Sequence, residues 1–85
     1  MPLTDREILI RRAILKVLSE CGDYLLLENL LFDAAMLKVP QLRKSEFAVA
    51  LSALDVSDRV QSVHGERGDR WRITANGKAD LDRQD

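Results

Sequence analysis

Side chains able to do covalent or metal chemistry are scarce in this 85-residue sequence, which holds one histidine, His64, and one cysteine, Cys21. One imidazole and one thiol cannot complete the usual ligand set of a zinc site, so no metal is expected. Asp80, Asp82 and Asp85 stand close together near the C-terminus. They lack the regular spacing and the glycine of a calcium loop and read as a solvated acidic tail. Neither a glycine-rich phosphate loop nor a Gly-x-Ser-x-Gly elbow occurs. Arg67-Gly68-Asp69 spells an integrin-type tripeptide, but three-residue matches arise readily by chance. No cofactor and no enzymatic activity are expected. What remains is charge. Residues 38–46 hold Lys38, Arg43 and Lys44 against Glu46, and residues 59–72 hold Arg59, Arg67, Arg70 and Arg72 against Glu66 and Asp69, a local net charge of +2 in each case. Guanidinium and ammonium groups in such runs suit contacts with anionic oxygens. Between them, Asp55 and Asp58 make residues 47–58 acidic.

The whole chain sums to a net charge of -1, from 13 basic and 14 acidic residues, with 46% apolar side chains. A chain this short buries roughly 60 to 65% of its unfolded surface, enough for one small core. The apolar fraction is too high for a disordered chain. The near-zero balance rules out a strongly basic binder attracted to nucleic acid as a whole. Apolar runs such as Tyr24 to Leu27 are far shorter than the roughly 18 to 20 residues that cross a bilayer, so neither a membrane span nor a signal peptide is expected. A lone cysteine cannot form an intrachain disulfide, which fits a reducing compartment and makes the cytoplasm the expected location.

The elements that must carry the charges follow from periodicity and punctuation. Thr4-Asp5-Arg6-Glu7 is a capping box, with the Thr4 hydroxyl placed to accept from the Glu7 amide. Ile10, Ala13, Ile14, Val17, Leu18 and Cys21 then fall within an arc of roughly 140° at 100° per residue, which predicts a helix over 5–21 closed by Gly22. Tyr24 to Leu27 reads as a brief extended segment. A second helix starts at Glu28, with Leu30, Leu31, Ala34 and Leu37 as its buried stripe, and Pro40 stops it. Residues 41–46 lead into a third helix, with Ser45 as its cap and Phe47, Ala50, Leu51 and Leu54 facing the core.

After Asp58 the period changes to two. Val60 to His64 and Arg70 to Thr74 read as the strands of a hairpin joined by the five-residue loop Gly65 to Asp69. Closed that way, Val63 stands opposite Trp71 and Gln61 opposite Ile73 on an apolar face. His64 then stands opposite Arg70 and Ser62 opposite Arg72 on a cationic one. Thr74 caps a last short helix over 75–82.

Three helices, a short strand between the first two and a hairpin after the third: this order resembles the winged-helix variant of helix-turn-helix. The stretch Trp71-Arg72-Ile73-Thr74-Ala75-Asn76-Gly77-Lys78-Ala79 is similar to the end of the wing in MarR- and PadR-type regulators, where an apolar strand runs through Ile/Leu-Thr-x-x-Gly into a closing helix. The resemblance covers nearly the whole chain. It implies an α+β fold in one domain over 1–85, a three-helix core with a β-hairpin wing and a short closing helix. In DNA-binding relatives the third helix enters the major groove and the wing reaches the adjacent backbone or minor groove. By position, the resemblance implies nucleic-acid contacts from Gln41, Arg43 and Lys44 around the start of the third helix and from Arg67, Arg70 and Arg72 in the wing, with the two segments on the same side. A small regulator holding duplex DNA mainly through its phosphates is the function implied.

The outward face of the third helix is different in kind. Val49, Ala53 and Val56 point away from the core stripe, flanked by Ser52 and Asp55, and no Arg, Lys, Asn or Gln lies between Ser45 and Val56. Base edges are read mainly by those four residue types. Glu46 and Asp55 would repel phosphates. Ile8 and Leu15 on the first helix, with Phe32 and Met36 on the second, suggest further apolar stripes, and two uses of such surfaces stay open. One is a homodimer, matching palindromic half-sites; the other is docking of a different protein on Val49, Ala53, Val56 or the Phe32 and Met36 pair. Packing of Leu15 and Phe32 within the same chain is the remaining alternative.

Overall fold

The computed structural model describes residues 4–22 and 24–83. Asp85 of the acidic tail and the ends of the expected 1–85 domain lie outside them. The order is α1 (Asp5–Cys21), β1 (Leu26–Leu27), α2 (Glu28–Lys38), α3 (Lys44–Val56), β2 (Val60–Gly65), β3 (Gly68–Ile73) and α4 (Ala75–Arg83). The Thr4 hydroxyl accepts the Glu7 N–H at 3.1 Å, and Gly22 closes α1 at φ 65, a conformation that costs glycine little. The antiparallel sheet has the order β1-β3-β2, so the two-residue strand β1 pairs with the inner strand, Leu26 opposite Trp71 and Leu27 opposite Arg70.

Helix α1 is the centre of the packing and meets α2, α3, β3 and α4. Its buried residues are Ile10, Ala13, Ile14, Leu15, Val17 and Leu18, one more face than the main stripe supplies. Leu15, expected on a second exposed stripe, is therefore a core residue, 1% exposed. The closing helix packs against α1, and its Leu81 joins the same buried cluster. Phe32 is likewise internal, set edge-on against Phe47 with ring centroids 5.2 Å apart. Neither residue offers a surface to a partner.

Helix α2 turns a different side inward from the one expected. Leu31, Phe32 and Ala35 are buried, whereas Leu30 and Leu37, assigned above to the core stripe, are 52% and 90% exposed. The helix is apolar nearly all round, so periodicity alone could not choose its buried side. Helix α3 buries Phe47, Ala50, Leu51 and Leu54 as expected but starts two residues earlier, with Arg43 as its N-cap in place of Ser45.

The hairpin register differs by one residue from the expected one. Val60 faces Ile73, Gln61 faces Arg72, Ser62 faces Trp71, Val63 faces Arg70 and His64 faces Asp69. The connection is two residues, Glu66 and Arg67, because Gly68 at φ 118 takes a backbone conformation that other residues rarely adopt and lets the strands pair up to the turn. A shift of one residue moves every β2 side chain to the other face. Val60 thus joins Trp71 and Ile73 in the core, while Val63 stands half-exposed on the outer face. His64 sits by Asp69, Nδ1 to Oδ1 2.5 Å, instead of beside Arg70.

Helix α4 is docked by a small set of bonds. The Thr74 hydroxyl accepts the Gly77 N–H at 3.1 Å and donates to the Asp58 carbonyl at 2.6 Å, so one side chain both caps the helix and ties it to the turn after α3. Arg59 pairs with Asp80 at 3.1 Å. Gly77 is where the backbones come closest: a Cβ there would overlap the Arg59 carbonyl oxygen and stand 2.7 Å from Ile73 Cγ1. Gly77→Ala is expected to destabilise the fold by about 2 kcal/mol or more, as overpacking against backbone does. For a domain of this size that lowers the thermal midpoint by roughly 10 °C, readable by circular dichroism.

Candidate nucleic-acid interface

The residues expected to contact nucleic acid occupy two places along the fold. Gln41, Arg43 and Lys44 are all exposed around the turn between α2 and α3 and the first residue of α3. Arg67 is at the hairpin turn, and Arg70 and Arg72 alternate with the buried Trp71 and Ile73 along β3. They therefore share the outer face of the wing, turned away from the core side of the sheet. The Arg72 guanidinium donates to Gln61 Oε1 at 2.9 and 2.5 Å, a neutral acceptor that holds the head group without cancelling its charge.

The two places are connected through Glu28 in the first turn of α2. Its carboxylate accepts the Trp71 Nε1–H at 3.1 Å, which anchors β3 between the two outward arginines. Glu28 also lines one hollow with Phe32, Lys44 and Phe47. Lys44 lies over the Phe32 ring, Nζ 5.3 Å from the centroid, a cation–π contact that fixes the side chain at the mouth of that hollow. The wing and the start of α3 are thus both built on the N-terminal part of α2.

Arg6 holds the turn that presents Gln41 and Arg43. Gln41 has φ 57, an uncommon left-handed conformation for a residue with a side chain. The Arg6 guanidinium spans this turn, donating from Nη2 to the carbonyls of Pro40 at 3.3 Å and Gln41 at 3.1 Å. It also forks onto the Glu46 carboxylate, Nε to Oε2 at 2.6 Å and Nη2 to Oε1 at 3.0 Å. Glu46 in turn accepts the Arg43 N–H at 3.1 Å, the half of a capping box that a carboxylate can supply. The hydrogen bond from Arg6, helped by the one from the Arg43 backbone, lowers the Glu46 pKa from 4.5 to about 2. The same bond raises the Arg6 pKa.

This changes the electrostatics expected at the helix start. Glu46 is ionised, but its charge is spent on Arg6, leaving Arg43 and Lys44 as the cations of the first turn beside the positive end of the helix dipole. Nothing in the sequence pointed to the Arg6 and Glu46 pair, which spans 40 positions, or to Glu28 as the partner of Trp71, 43 positions away. On the outer face of α3, Val49 is 67% and Val56 85% exposed, while Ala53 is half-buried. Ile8 and Met36 are exposed.

No family model matches the sequence, and no curated protein does. Among solved structures the chain is similar to a PadR family transcription regulator from hypervirulent Clostridium difficile R20291. The TM-score is 0.71 at 16% sequence identity, over 88% of this chain and 81% of that one. The fold is a winged helix: α1 to α3 form the helical core, β2 and β3 the wing, and α4 closes the domain. Among the described residues no three His, Cys, Asp or Glu side chains come together to hold a metal, and no helix is long and apolar enough to cross a membrane.

A carboxylate whose pKa is depressed by folding contributes stability above its unfolded pKa and loses it as pH falls through the folded value. The Glu46 contribution is therefore present above about pH 4.5 and lost on acidification towards about pH 2. Melting wild type and Glu46→Gln side by side should show wild type more stable at neutral pH. The gap between them should narrow across that window and close below it. A gap independent of pH would mean that Glu46 acts by packing rather than by charge.

Proposed function

We propose that this chain is a cytoplasmic winged-helix protein that binds duplex DNA, in the manner of a small transcription regulator, and is not an enzyme. The observation that carries the reading is the charge at the start of α3. Arg43 and Lys44 are exposed there, Gln41 is held beside them on the turn, and the acidic residue that would oppose phosphate is consumed by Arg6. Arg67, Arg70 and Arg72 offer a second point of contact on the tip and outer face of the wing. The structural likeness to a transcription regulator supports the same reading. Cations on two elements suit a phosphate backbone, which presents charge at regular intervals and requires no base recognition.

The outer face of α3 sets how much sequence such a protein reads. Ala48, Val49, Ser52, Ala53 and Val56 form one shallow surface without an amide or a cation. Binding is accordingly dominated by phosphate contacts, with weak discrimination between sequences. That same surface supports a second reading, an adaptor that docks another protein through Val49, Ala53 and Val56.

Fluorescence anisotropy with mixed-sequence duplex DNA at rising salt separates the two. A DNA binder should lose affinity along a straight line of log K against log salt, with the slope reduced by about 1 for each phosphate contact removed. Charge reversal at Lys44, and at Arg67, Arg70 and Arg72 in the wing, should weaken binding by similar factors for unrelated duplexes. Absence of binding at low salt would move the assignment to the adaptor.

A further inference from the structure

The three wing arginines are not equivalent. Arg67 lies in the turn, and Arg70 stands opposite Val63, which has no polar side-chain atom to offer it. Among the described residues neither guanidinium has a hydrogen bond or an ion pair. Arg72 stands opposite Gln61 in the register of β2 and β3. Its guanidinium donates to the single oxygen Gln61 Oε1, from Nε at 2.9 Å and from Nη2 at 2.5 Å. Both side chains are exposed, so the pair fills no space in the core.

That bond decides what Arg72 has left to give. A guanidinium carries five N–H donors in a planar fork. The Nε–H and one Nη2–H lie along one edge, and both are engaged by Gln61. The two N–H groups of Nη1 and the second of Nη2 remain. One from each nitrogen forms the end-on fork that matches two oxygens of a phosphate. The acceptor is a neutral amide, so the positive charge is retained in full. A carboxylate at position 61 would hold the head group equally well and cancel its charge, as Glu46 does to Arg6. An arginine without a partner loses rotamer freedom when a ligand orders it, a cost that Arg72 has met within the fold. We propose that Gln61 is a positioning residue: it orders Arg72 with its end-on fork free and its charge intact, which makes Arg72 the principal phosphate contact of the wing. This rests on the DNA-binding reading and names the wing cation built for the backbone and the neutral side chain that builds it.

The test reads affinity and salt slope together, with the full chain and mixed-sequence duplex DNA. Gln61→Met keeps the length of the side chain and removes the acceptor. Affinity should fall by about three- to tenfold with the slope unchanged, because every cation is still present. Gln61→Glu keeps the acceptor and adds a negative charge, and the slope should fall by about 1. Arg72→Lys, which cannot fork, should weaken binding more than Arg70→Lys does. Its effect should be at least about threefold smaller in the Gln61→Met background, whereas that of Arg70→Lys should be the same in both. Without DNA, the Arg72 Nε–H should give a slowly exchanging NMR resonance in wild type that Gln61→Met abolishes. Wild type that binds duplex while Gln61→Met keeps full affinity, Gln61→Glu keeps the full slope, or the Arg72→Lys effect is the same in both backgrounds would overturn this inference and leave the DNA-binding reading standing. Absence of binding by wild type at low salt would overturn both.

Discussion

Burial of α1 on several sides at once is the constraint to which the other elements answer. A helix that buries one stripe can rest on a single neighbour, but α1 buries Leu15 as well as the stripe of Ile10, Ile14 and Leu18. It can do so only if α2, α3, β3 and α4 close around it. In a domain this small there is no second core to supply stability, so each peripheral element has to reach α1 or something seated on it. The close approach at Gly77 and the double use of the Thr74 hydroxyl follow from that need. They bring α4 near enough to cover the side of α1 that would otherwise face water.

The cationic surface is a product of the same arrangement. Arg6 sits in the first turn of α1 and is therefore carried to wherever α1 packs, which is beside the turn between α2 and α3. There it neutralises Glu46 and satisfies two turn carbonyls, and it supports Gln41 in a conformation that costs free energy in isolation. A side chain in an exposed helix turn thus determines both the geometry and the charge of the surface at the start of α3. Trp71 has a parallel role in the wing. Buried and bonded to Glu28, it holds β3 so that Arg70 and Arg72, on either side of it in sequence, are directed outward.

Much of this was legible along the chain. The Thr4 cap, the glycine after Cys21, the break before Pro40, the change from helical to strand period after Asp58 and the cap at Thr74 all lie where the structure has them. The outward setting of Arg70 and Arg72 was also legible, because it depends only on alternation with the apolar Trp71 and Ile73. Legibility ended where a choice lay between two similar sides. Helix α2 carries apolar residues in most directions, so its pattern assigned Leu30 and Leu37 to the core, while packing against Phe47 selected Phe32 instead. In β2 the residues are too mixed for alternation to set a face, and counting from a five-residue loop placed Val63 inside. The backbone freedom of Gly68 allowed a tighter turn and Val60 went inside.

Local chemistry is enough to mark where helices and strands begin and end, because caps, turn glycines and periodicity act over a few residues and compete with little else. It is also enough to show that the net charge of -1 hides two basic segments. It cannot weigh contacts between residues tens of positions apart. The hairpin register, the inward faces of α1 and α2, the pairing of Glu46 with Arg6 and the anchoring of Trp71 by Glu28 were therefore settled by packing. Each depends on which surfaces come together once the chain has closed, and the free energy of that closure is shared among elements that no short stretch of sequence contains.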